Sequence, residues 1–129
     1  MARAKMGASH GWNDNFVESA DASFSLEVGD SGKVFILKGA AVTVTLPALS
    51  DIEAGYSVKL ISGDDSEHII AGAASKLYGT IVQVTSSGAN ERIAAASGYT
   101  LTAGVIGDMF DIVSDGTNWY ISGFTNAGA

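Results

Sequence analysis

The clearest alternation of apolar and polar positions lies late in the chain. Phe110-Asp111-Ile112-Val113 and Trp119-Tyr120-Ile121-Ser122 flank Ser114-Asp115-Gly116-Thr117-Asn118. A period of two marks a strand with one covered face, so Phe110 and Ile112 share a side opposite Asp111, and Trp119 and Ile121 oppose Tyr120 and Ser122. Gly116 supplies the positive φ that a tight turn asks of one residue. The pattern predicts a terminal β-hairpin. Phe110, Trp119, Tyr120 and Phe124 concentrate aromatic area in it, and the core is expected to close here.

Upstream the same logic yields shorter strands. Val34-Phe35-Ile36-Leu37 is an unbroken apolar run expected to be covered on both faces. Val42, Val44 and Leu46 alternate with threonines until Pro47, which offers no ladder donor, ends the run. Residues 48–55 suit a single helical turn, with Ser50 and Glu53 spaced as a capping pair. Tyr56, Val58 and Leu60 face inward on the next strand, Gly63-Asp64-Asp65 turns it, and Glu67 to Ala71 is expected to pair with it. Strands are also expected from Leu77 to Val84, at Tyr99 to Thr102, and at Glu91 to Ala96. In the last of these the alanines favour helix, but turn clusters every 8–12 residues favour a sheet. About eight strands give an all-β domain: a compact, antiparallel β-sandwich or small barrel, jelly-roll or β-tulip-like, over residues 29–129.

Residues 1–28 show neither period and read as an extended N-terminal arm. Met6, Trp12, Phe16 and Phe24 stand isolated among small and polar residues. Disordered segments are poor in aromatics, so Trp12 and Phe16 have a use. Two uses are open: anchors for a neighbouring protein, or residues that fold back on the domain's own core.

Composition narrows the field. The chain has 129 residues, no cysteine and a net charge of −7. That length makes one domain, and the lack of cysteine excludes disulfides and thiolate chemistry. The acidic balance argues against nucleic acid as a partner. No apolar run approaches a membrane span, and the N-terminus lacks the apolar core of a signal peptide, so no membrane partner is expected. Arg3 and Lys5 precede the first acid, Asp14, making a small basic tip ahead of an acidic body. With only 16% charged residues, much of the surface is neutral, a surface suited to subunit contacts.

Candidate chemistry is thin. His10 and His68 sit on separate stretches without a ligand pair, and the acidic run around His68 lacks the spaced oxygen ligands of a calcium loop, so no metal site is expected. No nucleophile is set with a base and an acid, and Asp108 and Asp111, three apart on a strand, point to opposite faces and are read as solvent-facing. Gly29-Asp30-Ser31-Gly32-Lys33 lacks the strand-to-helix context of a phosphate loop. Trp119 and Tyr120 suit stacking on a sugar, but alternation already turns Trp119 inward. The chain is read as a non-enzyme without cofactors.

The Ser114-Asp115-Gly116-Thr117-Asn118-Trp119-Tyr120 hairpin, with strands such as Val42-Thr43-Val44-Thr45-Leu46-Pro47 before it, resembles small β-proteins of the virion surface of tailed bacteriophages. These are capsid cement or decoration proteins and modules of head or tail fibres. The resemblance spans about residues 29–124 and implies a structural protein on the capsid surface, made in the host cytoplasm, that bridges neighbouring major capsid protein subunits as a homotrimer. No internal repeat is visible, which favours a clamp over a fibre. On that reading Arg3, Lys5, Met6, Trp12 and Phe16 bind the partner. The alternative is a fibre module that binds a receptor or host-surface carbohydrate.

Overall fold

A computed structural model describes residues 16–84 and 90–126. Eleven strands among them build two facing sheets: β1 (Val17–Ala20), β2 (Phe24–Ser25), β3 (Val34–Leu37), β4 (Thr43–Thr45), β5 (Ser57–Ser62), β6 (His68–Ala71), β7 (Leu77–Gln83), β8 (Glu91–Ala96), β9 (Gly98–Leu101), β10 (Met109–Ser114) and β11 (Trp119–Thr125). The large sheet runs β1-β3-β5-β10-β11-β7-β8 and the small one β2-β4-β6-β9. This is an all-β sandwich.

Its first half is wound. The chain alternates between sheets at every step from β1 to β6, and each strand pairs in parallel with the strand two places on: β1 with β3, β3 with β5, β2 with β4, β4 with β6. Parallel neighbours need a crossover, and here the other sheet's strand serves as that crossover. Short 3-10 turns at Val28–Asp30 and Leu49–Asp51 occupy the same corner of successive turns, each carrying the chain from the small sheet to the large one. Leu26 sits over Leu46 in consecutive turns, with Leu26 N–H donating to Thr45 O and Leu46 N–H to Ala71 O.

Three expectations are corrected. The sheets are mixed rather than antiparallel throughout. β6 is not the hairpin partner of β5, because the loop after Gly63 crosses to the opposite sheet, where β6 pairs with β4 and β9. Residues 17–26, placed in the arm, contribute β1 and β2 to the sheets and Leu26 to the core. Strands of four and two residues hold too few positions for alternation to register. The turn at Leu49–Asp51 forms where expected, but Ala48 rather than Ser50 precedes it as the cap.

The second half completes what the winding leaves open. β7 and β8 form the far edge of the large sheet, and β9 adds antiparallel to β6. The β10–β11 hairpin fills the gap, β10 antiparallel to β5 and β11 parallel to β7. The last two strands therefore do close the core. Its inner layer includes Phe35, Leu60, Phe110, Ile112, Ile81, Ile121 and Trp119, the last fully buried with the Tyr56 ring edge-on at 5.7 Å. Gly123 lies beside Phe110, and a Cβ there would stand 2.7 Å from the Phe110 ring and 2.3 Å from Met109 O, so only glycine fits.

Candidate interaction surfaces

The hairpin turn explains its own sequence. Ser114, buried, donates its hydroxyl to Asn118 O at 2.9 Å and accepts Gly116 N–H at 2.9 Å. Asp115 Oδ1 accepts Thr117 N–H and Asn118 N–H, and Asp115 Oδ2 accepts the Tyr120 hydroxyl at 3.0 Å. These bonds, led by the Asn118 and Thr117 amides, hold the Asp115 carboxyl below its ordinary pKa. Gly116, at φ +88°, takes the left-handed position.

Strand pairing sets the outer face of the large sheet in three rows. The register aligns Ile36, Ile61, Met109, Phe124 and Val82 in an unbroken apolar row across five strands. Met109 is 42% and Phe124 61% exposed. Beside it runs a polar row, Lys59-Asp111-Ser122-Thr80, in which the Lys59 ammonium lies 3.6 Å from Asp111 Oδ1. A third row brings Val113, Tyr120 and Tyr78 together, the two tyrosine rings 6.4 Å apart. Phe124 and Tyr120, counted with the hairpin's core aromatics, thus face outward, as alternation from Trp119 requires. A shallow groove of about 350 Å³ runs between Lys59, Val82, Met109, Asp111 and Phe124.

The second surface is the end where the winding starts. β1 ends the large sheet and β2 the small one, and because both sheets are wound in the same order their free edges lie at the same end. Phe16 is 48% and Val17 52% exposed there, although Phe16 O accepts Val34 N–H. The Lys33 ammonium clasps β1 to β3, 2.6 Å from Glu18 and 2.9 Å from Asp30. Those two hydrogen bonds, Glu18 first, raise its pKa well above the ordinary value. Of the proposed partner residues, Phe16 is thus an exposed residue of this end, while Arg3, Lys5, Met6 and Trp12 lie outside the described residues.

The titratable side chains that sequence reading weighed are differently placed. Asp108 and Asp111 do point to opposite faces, but only Asp111 meets solvent. Asp108 is buried, its carboxylate accepting Val105 N–H, the Thr125 hydroxyl at 2.7 Å and Asn126 N–H at 2.9 Å, which ties the start of β10 to the end of β11. The alternation of β10 extends back to this position, so Asp108 lies on the inward side with Phe110 and Ile112; its charge, not its parity, suggested solvent. His68 is buried as well, with no hydrogen-bond partner on either ring nitrogen. Burial lowers its pKa, against the pull of the Asp64 carboxylate and carbonyl, which do not reach hydrogen-bond geometry. Its side chain shares the inward face of β6 with Ile70. Asp64 and Asp65 are spent on loop structure, Asp64 accepting the Ser66 hydroxyl within its own loop and Asp65 the Ile106 N–H of the loop before β10. Neither a known protein-family model nor a curated protein matches the chain.

Proposed function

We propose that this protein is a structural component of the virion of a tailed bacteriophage, a non-catalytic decoration or cement protein on the capsid surface that bridges neighbouring major capsid protein subunits as a homotrimer. The observation that carries the reading is the open end of the winding. Two sheet edges stop there side by side, with Phe16 and Val17 exposed, where residues 1–15 join the body. Unpaired edges with apolar side chains are sites of strand addition or docking. An arm anchored at such an end reaches a neighbour while the sandwich stays rigid. The hairpin resemblance supplies the virion context, and the partner-binding residues are Arg3, Lys5, Met6, Trp12 and Phe16.

A protein that binds only the assembled shell stabilises it by mass action. Shells carrying the protein are expected to withstand higher temperature and osmotic shock than shells stripped of it, and Phe16→Ala is expected to weaken shell binding without unfolding the body. Equal robustness of both shells ends the cement reading.

The fibre reading keeps one specific support, the outward-facing Tyr78–Tyr120 pair beside Asn118, two rings tilted 36° to each other that offer aromatic area to a sugar ring. The winding also removes one sequence argument against a fibre, since a repeated element exists that unequal loops conceal. Competition of the isolated protein with phage adsorption would favour that reading over cement.

A further inference from the structure

We propose that the outer face of the large sheet is the surface through which copies of this chain meet, the row Ile61-Met109-Phe124-Val82 of one copy packing on that of its neighbours. Single exposed apolar residues are ordinary, but a contiguous row on adjacent strands marks a surface made to be covered. The inference deepens the proposed function, resting on it for the number of copies, and names the surface that function leaves open.

Charge identifies the occupant. The chain carries −7, so identical bodies repel except where a surface lacks the acid excess. The outward positions of β5, β10, β11 and β7 include just two charged residues, Lys59 and Asp111, of opposite sign. Outward on these four strands the charges cancel, and Arg92 of β8, beside Thr80, is basic, so the face lacks the acid excess that the rest of the molecule holds. A strongly basic partner would be drawn to the acidic remainder. A second copy fits the face itself, its Lys59 meeting the Asp111 that the first copy leaves 63% exposed.

Size sets the strength. Four strands about 4.8 Å apart and about five residues long present on the order of 300 Å² of flat face. A standard interface takes about 800 Å² from each partner. Association through this face alone is therefore weak in dilute solution and becomes complete where copies are held close together, as on a regular shell.

The test is sedimentation of the full chain over a concentration series, with Phe124→Lys and Thr102→Lys alongside. The wild-type mass is expected to rise with concentration. Phe124→Lys should raise the concentration needed about tenfold or more, a change of about 1.4 kcal/mol, while Thr102→Lys, exposed and off this face, leaves it unchanged. Because the chain has no cysteine, Ser122→Cys places a unique thiol on the face, and oxidation should cross-link it far faster than Thr102→Cys. Near-ultraviolet dichroism from Trp119 checks that each variant is folded. A wild-type chain that stays monomeric throughout, or equal cross-linking at the two positions, overturns the proposal. Self-association without protection of shells would leave this surface standing and remove the cement reading; protection by a chain that stays monomeric would do the reverse.

Discussion

At the scale of single residues, His68 is the least settled member of the core. Both ring nitrogens are buried without partners, so the neutral imidazole already forfeits its hydrogen bonds and the charged form loses far more. Its folded-state pKa lies below the ordinary 6.5, so as pH falls through 6.5 the unfolded chain takes up a proton first. Stability is therefore full above that pH and drains below it, by at most about 1.4 kcal/mol per pH unit from this one group. Urea titrations of wild type and His68→Leu between pH 7.5 and 5 (about the range the linkage needs) are expected to show the difference between them growing with acid. At neutral pH the variant should match or exceed wild type, since it removes two unpartnered polar atoms from the core. A constant difference across the range would mean that the imidazole is not desolvated. Little of this was legible in the sequence. Glu67-His68-Ile69-Ile70 placed His68 on a strand, but the acids Asp64, Asp65 and Glu67 just before it pointed to solvent, and only the crossing from β5 to the opposite sheet turns the ring inward.

At the scale of elements, the hairpin was legible and the edge strands were not, for one reason. β10 and β11 have six and seven residues, enough alternating positions to fix register and inward face, and the turn residues between them each satisfy a named backbone group. β1 and β2 have only four and two residues, and their place depends on parallel partners far along the chain. The hairpin's other end hangs on Asp108, whose charge-assisted bonds to the Thr125 hydroxyl and the Val105 and Asn126 amides hold β10 and β11 together where the turn cannot reach. Asp108→Ala leaves the buried Thr125 hydroxyl and two part-buried amides without that acceptor and is expected to cost on the order of 3 kcal/mol. Asp108→Asn, which keeps the shape but can accept fewer of these bonds, should fall between. Thermal melts read both, and a loss under about 1 kcal/mol for alanine would show that the carboxylate is dispensable to the pairing.

At the scale of the whole molecule, two construction principles meet. The wound half from β1 to β6 adds one strand to each sheet per turn and has no intrinsic stopping point at its starting end. Its repeat hides in the sequence because the aligned positions Val17, Val34 and Lys59 are unevenly spaced and chemically unlike, which is why no period appeared. The hairpin half is anchored at the centre of the large sheet, with β5, β10 and β11 each paired on both sides. Stability should follow that layout. Amides of β10 and β11 open only with global unfolding, whereas β1 and β2, paired on one side and held mainly by the Lys33 clasp and the Leu26 contact, open locally at lower free energy. Native-state hydrogen exchange is expected to rank protection from β10 and β11 down to β1 and β2, and Lys33→Met should hasten exchange at β1 while leaving β11 unchanged. Protection of β1 equal to that of β11 would mean that the open end is as firmly held as the centre, and a loosely held edge would no longer be available for a neighbouring subunit to pair with.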